Sequence, residues 1–228
     1  MRLIIIGCEY TGKTTLTAGI REWLVENMGS CQTSFHDHFE WPFLEPSWGS
    51  GEDTDRVVEQ IRQMDVRLLE SFTRYQIHYH TSDSFYGLND HCPVNWYYAD
   101  AVYSSIYYGY GRPGEYADRR IQARYYDAIV KHKAPDTVLV WLKASPEVII
   151  QRMRENPHPY HFIKEEDVEL ILSRFEEEYT NSMLGRKLAF DTTDSTPAST
   201  LAEFVAAIEP HLTEKDQRRI LTHKALHG

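Results

Sequence analysis

The stretch Gly7-Cys8-Glu9-Tyr10-Thr11-Gly12-Lys13-Thr14 sets glycines, a lysine and a hydroxyl in the order GxxxxGK[ST]. Those residue types at that spacing hold the phosphates of a nucleotide. Backbone N–H groups of such a loop wrap the phosphate oxygens, and Gly7 and Gly12 stand where a side chain would block that approach. The following helix turns its positive end to the anion. Lys13 is expected to reach the β- and γ-phosphates and the Thr14 hydroxyl to ligate Mg²⁺. Tyr10 and Thr11 complete the loop, and Thr15 is read as a supporting helix residue.

The elements that must position this loop are legible around it. Residues 2–6 are a short continuous apolar run, read as a strand buried on both faces. Leu16, Ile20, Trp23 and Leu24 repeat with helical spacing until Gly29-Ser30. Strand, loop and helix thus follow in the order that gives the motif its meaning. A second strand is predicted over 32–39, and a long helix from Thr54 or Asp55 to about Tyr79. A third strand is predicted over 84–88, ending in Asn89-Asp90-His91, and aromatic helical segments from there to about Val130. Residues 137–142 read as the next strand, with Ser145 and Pro146 as the cap and first position of a helix. An amphipathic helix over 165–183, a strand over 187–190, a helix over 197–208 and a polar tail over 213–228 complete the chain. Strands alternating with helices predict an α/β fold in three layers, with a mainly parallel sheet of about five strands, as one domain over 1–228.

Beyond the loop, the chain resembles the P-loop nucleoside and nucleotide kinases, the group of the deoxynucleoside kinases and thymidylate kinase. The resemblance rests on the loop, on Asn89-Asp90-His91, on Pro146 to Arg154 and on Leu188 to Thr193. It implies that Asp90 stands where the family has an acidic residue followed by Arg, with His91 in place of that Arg. An acidic group at the carboxyl edge of a parallel strand faces the phosphate crevice, which suits Asp90 to a Mg²⁺ role. The resemblance also implies a lid over about 152–165, with Asn156 to His161 at its tip and Arg152 and Arg154 against the transferred phosphoryl group. Leu188 to Thr193 corresponds to the last strand and the adenine-side loop, and Gln76 to the residue that reads the base.

An acceptor hydroxyl must be oriented or deprotonated, so a carboxylate near the end of the second strand is expected as base. Asp37 and Glu40 both qualify. Tyr97, Tyr98, Tyr103, Tyr107 and Tyr108 have two readings, stacking on a base or sugar and packing in the core. Arg112 and Arg119 flank Gly111-Pro113-Gly114 and have two as well, an acceptor phosphate and the bare surface. His36 with His38, and His78 with His80, form alternating pairs, but no third ligand lies at fixed spacing for zinc.

Composition removes other classes. With 24 Lys+Arg against 34 Asp+Glu the formal charge is −10, and no basic patch offsets it, so neither nucleic acid nor an anionic membrane is an expected partner. The opening apolar run is far shorter than the roughly 20 residues of a membrane span. Cys8, Cys31 and Cys92 are scattered and odd in number, which fits a reducing cytoplasm. A regulatory GTPase would need DxxG and NKxD strings, and neither occurs. The expectation is a cytoplasmic kinase using ATP and Mg²⁺ on a nucleoside or nucleotide. A P-loop kinase of another small metabolite or of a polynucleotide end stays open, as do a non-catalytic or regulatory NTP-binding protein and a homodimer.

Overall fold

The computed structural model describes residues 1–31, 36–37, 56, 59–61, 63–88, 90–157 and 163–227. Glu40, the predicted caps Thr54 and Asp55, His38 and lid-tip residues 158–161 lie outside them.

Five parallel strands form one sheet in the order β2-β3-β1-β4-β5. They are β1 (Leu3–Ile6), β2 (His36–Asp37), β3 (Pro93–Val94), β4 (Val138–Lys143) and β5 (Arg186–Asp191). β1 pairs with β4 from Leu3↔Val138 to Ile6↔Trp141, so the apolar strands sit at the centre. Successive residues of β1 point to opposite faces. Ile4 and Ile6 join a core with Leu139 and Trp141, whereas Leu3 and Ile5 join Val138, Val140 and Leu142 in another.

Each face is covered by helices. On one, α1 (Lys13–Met28) brings Leu16, Ile20, Leu24 and Met28, and α8 (Pro197–Ile208) brings Phe204 and Ile208. Between these helices in sequence lie α2 (Val66–Tyr79) and the single turn α3 (Asp83–Tyr86). The other face holds α4 (Trp96–Tyr103), α5 (Arg119–Lys133), α6 (Pro146–Glu155) and α7 (Val168–Asn181). Helix α9 (Glu214–His227) closes the described chain.

Local signals set several boundaries. Ser145 accepts from the Val148 N–H and Pro146 opens α6, as the sequence predicts. Thr196 and Ser199 cap α8 reciprocally. Asp65 accepts from the Arg67 N–H and starts α2; residues 56 and 59–61 are helical too, so the expected single long helix to Tyr79 is interrupted at 63–65.

Two further expectations are corrected. Residues 83–86 are helical, and the third strand is Pro93–Val94. Proline has no N–H for a ladder and is rare in central strands, which hides this strand from a pattern reading. The 213–228 tail is mostly the helix α9 packed on α1. Its few apolar residues conceal a polar attachment: Asp216 accepts from the Met1 amino group at 2.8 Å, and Arg219 donates to the Ser30 carbonyl at 2.7 Å.

Candidate active site

Strand β1 runs directly into the loop. A Cβ on Gly7 would lie 2.4 Å from the Leu142 carbonyl oxygen of the neighbouring strand, so no other residue fits there without a shift. Gly12 takes φ +88° at the mouth of α1, in the left-handed region that favours glycine. The Cys8 carbonyl is the hub of the turn. It accepts from the Thr11 hydroxyl at 2.8 Å and from Lys13 Nζ at 2.7 Å. Lys13 is buried, while Thr14 and Thr15 are exposed at the start of the helix. No side chain caps that helix end. Its first N–H groups and the lysine therefore converge on one place, which is the arrangement an anion needs. Burial pushes the Cys8 thiol up to about 12, which leaves it protonated and unreactive.

Arg152 reaches this loop from α6. It donates to the Tyr10 carbonyl at 2.9 Å, to the Thr192 hydroxyl at 3.2 Å and to the Thr192 carbonyl at 2.6 Å. Thr192 in turn donates to the Thr11 carbonyl at 3.1 Å. The guanidinium thus ties the loop to the end of β5, next to Tyr10 at φ +63°. Arg154 instead pairs with Glu165 at 2.8 Å on the surface.

The carboxyl edge of β3 lies beside the loop, since the Asn95 N–H donates to the Ile5 carbonyl at 2.7 Å. Asn95 occupies that edge with φ +62°, and its Oδ1 is buried with no hydrogen-bond partner among the described residues. Asp90 is at the other end. The His91 N–H bonds the Met1 carbonyl, level with the start of β1. At roughly 3.3 Å per residue, Asp90 is about 16 Å from the edge that faces the loop. Its carboxylate accepts from the Met1 amino group at 2.8 Å and from Arg219 Nη1 at 2.8 Å. The expected metal role of Asp90 is corrected by this placement: it is a buried anchor for α9. Asp37 does stand at the carboxyl end of β2, in register with Val94.

Helix α4 is buried along its whole length. The stacking reading of Tyr97 and Tyr98 is therefore corrected. Both hydroxyls donate to Asp127 of α5, at 2.8 Å and 2.5 Å. Asp127 also faces Arg124 at 2.9 Å, and Arg124 bridges to Glu178 of α7 at 2.8 Å. Burial raises the Glu178 carboxyl to about 7 against the opposing pull of Arg124. The folded state then holds this proton more tightly than the unfolded chain between about pH 4.5 and 7, so this group's contribution to stability declines as pH rises through that window. Glu178→Gln removes the effect. Wild type should lose stability relative to the variant by up to about 1.4 kcal/mol per pH unit in urea titrations from pH 5 to 7. A difference that stays flat with pH would contradict it.

A second buried charge cluster sits further along α4. Arg119 Nε is 2.6 Å from Asp100, Tyr110 donates to Asp100 at 2.8 Å, and Arg119 Nη1 donates to Glu70 of α2 at 2.9 Å. Burial raises the Asp100 carboxyl and Arg119 opposes it. Gly111, at φ +76°, lets the chain pass where a Cβ would be 2.3 Å from Arg119 Cγ and 2.8 Å from Ser104 Oγ. Ser104 Oγ and Gln76 Nε2 are buried with no hydrogen-bond partner among the described residues. Gln76 therefore keeps an unused donor, whereas Arg112 is exposed, 4.0 Å from Glu115. The sequence reading missed Asp100, Asn95 and the inward placement of Arg119. The strand-end position of Asn95 could have pointed to it had β3 been placed correctly. Nothing local marks Asp100, whose partners are Arg119 of α5 and Tyr110 beyond the π-helical turn.

No protein-family model matches the chain, and no curated protein matches it. Solved structures are similar in fold. The chain resembles YorR of Bacillus subtilis, solved with phosphorylated GDP, at 18% identity over 93% of this chain and 99% of that one, with a TM-score of 0.53. It also resembles deoxyadenosine kinase of M. mycoides, solved with dCMP and a flexible dCDP, at 14% identity over 92% of this chain and 100% of that one, with a TM-score of 0.57. The same kinase with dCTP gives a TM-score of 0.52. The chain shares the α/β architecture of these proteins.

Proposed function

We propose that this protein transfers the γ-phosphoryl group of ATP to a nucleoside or nucleotide, with Mg²⁺. The observation that carries the proposal is the strand–loop–helix cradle in which Gly7, Gly12, Lys13 and the open end of α1 converge. Tyr10, Thr11, Thr14 and Thr15 complete the donor site, and Lys13 stabilises the charge that develops on the transferred group.

The donor set fits Mg²⁺, which prefers hard oxygen ligands and keeps several waters. Thr14 offers a hydroxyl at the exposed start of α1, and the Asn95 amide oxygen can accept from a metal-bound water. No group of three His, Cys, Asp or Glu suited to a metal occurs among the described residues. Thr14, with phosphate oxygens and water, would hold Mg²⁺, which would supply neutralisation of the charge on the nucleotide's phosphates.

On the acceptor side, Asp37 at the end of β2 is the proposed base, and Glu40 is the other carboxylate of that segment. Gln76, with its unused buried donor, is the proposed base-reading residue. Arg152 supports the donor loop, and Arg154 is the arginine left to meet the transferred phosphoryl group once it parts from Glu165. The nucleotides bound by YorR and by deoxyadenosine kinase support the choice of acceptor class. The test is incubation with ATP and Mg²⁺ against nucleosides, nucleoside monophosphates and other hydroxyl metabolites, with products read by mass. A phosphorylated product from one nucleoside or nucleotide class is expected. Transfer to a different metabolite alone would replace the acceptor assignment, and ATP binding with no transfer to any acceptor would overturn the reading.

A further inference from the structure

Helix α4 does not end in a regular turn. It continues into a π-helical turn, Ser104–Tyr108, closed by Gly109 at φ +75°. Such turns are rare and often sit at functional sites. This one carries Tyr107 to the chain that follows α6. The Tyr107 hydroxyl donates to Asp167 Oδ2 at 2.8 Å and accepts from the Lys164 N–H at 3.3 Å. Asp167 is the N-cap residue of α7, yet its carboxylate makes no capping bond to that helix. An N-cap aspartate ordinarily bonds the N–H groups of its own first turn. Here the carboxylate is turned to the tyrosine instead.

The other end of this contact leads to the core beneath the phosphate loop. The Tyr107 ring lies 6.3 Å from that of Tyr103, which is buried in the same core cluster as Cys8 of the loop. Residues 163–167 are held from the opposite side too, by the Arg154–Glu165 pair and by the burial of Ile163. A connected set of contacts thus runs from Cys8 through Tyr103 and Tyr107 to Lys164 and Asp167.

We infer that Tyr107 is a positioning residue for phosphoryl transfer, its hydroxyl fixing the Lys164–Asp167 segment, and with it the Arg154–Glu165 pair, relative to the phosphate loop. The inference rests on the kinase reading above. It assigns Tyr107 no contact with ATP. The donor would still bind to the loop when the hydroxyl is removed, while Glu165, the partner from which Arg154 is released toward the reacting phosphoryl group, would lose its placement. Misalignment of about 1 Å is enough to cost up to 10²-fold in rate. The effect belongs in kcat.

Tyr107→Phe removes the hydroxyl and keeps the ring. In the full chain, kcat is expected to fall about tenfold with KM for ATP within about twofold. Amide exchange at 163–167 should speed up while the rest of the molecule keeps its protection. Asp167→Asn should lower kcat in the same direction, and the double variant should be no worse than the more affected single one, because both changes break one contact. An unchanged kcat in Tyr107→Phe, or additive losses in the double variant, would overturn the inference while leaving the kinase reading intact. A general loss of protection with a lower active fraction on ATP titration would also overturn it, since that marks a structural role only. Absence of transfer by the wild type would overturn the kinase reading and this inference together.

Discussion

Lys13→Ala is expected to lower kcat by about 10²–10³-fold or more while leaving the fold intact, because it deletes a donor aimed at charge that develops in the transition state. The two halves of that expectation have separate grounds. Lys13 Nζ donates to the Cys8 carbonyl, and the lysine is only 6% exposed. A buried ammonium whose bond goes to a neutral carbonyl adds little to stability, and an incoming phosphate supplies the opposite charge it lacks. The melting temperature of the variant should accordingly match or exceed that of the wild type. Steady-state kinetics and thermal melts on the same preparations check both halves. Turnover that survives the substitution would remove the loop from the chemistry, and a large drop in melting temperature would mean the lysine is structural.

Asp127→Ala is expected to produce the largest loss of stability of any substitution considered, about 3–5 kcal/mol. Asp127 is fully buried and accepts from Tyr97 at 2.8 Å, from Tyr98 at 2.5 Å and from the Met183 N–H at 2.9 Å, with Arg124 2.9 Å away. Removing the carboxylate takes a partner from the half-buried Arg124, from both tyrosine hydroxyls and from the Met183 N–H. Arg124 keeps Glu178 and Tyr98 keeps Ser182, but the Tyr97 hydroxyl and the Met183 N–H lose the acceptor they bond, and each unmet group costs desolvation without return. Because α4, α5 and the start of β5's approach meet at this carboxylate, the loss falls on the core beside the sheet. Asp127→Asn retains the shape and one acceptor and should cost about 1–3 kcal/mol. Urea midpoints at constant slope measure both. A loss below about 1 kcal/mol for the alanine variant would mean that the cluster is solvated in solution. Total stabilities of about 5–15 kcal/mol make the expected loss a large fraction of the whole.

What consecutive residues encode was readable in advance. The glycines, lysine and hydroxyl of 7–14, the apolar run before them and the helical repeat after them each depend on neighbours in the chain. So do the Ser145-Pro146 helix start and the Pro197–Ile208 helix, where capping and φ preferences act within a single turn. Parallel strands buried on both faces announced an α/β sheet because such strands need continuous apolar sequence.

Only the tertiary structure decided the rest. The two-residue strand Pro93–Val94 has no pattern of its own and exists because β1 and β2 pair with it on either side. Its true position moves Asp90 away from the loop and brings Asn95 beside it. Tyr97 and Tyr98 have helical spacing suited equally to a ligand and to a core, and the covering of α4 on every side chose the core. Arg152 was expected from the resemblance as a lid arginine, but its bonds to Tyr10 and Thr192 exist only once α6, the loop and β5 come together. Asp100 with Arg119, and Asp90 with Arg219, join residues far apart in sequence. A charge alone cannot announce a buried partner that the chain brings up from another element, because the burial and pairing that make it favourable arise only when the core closes.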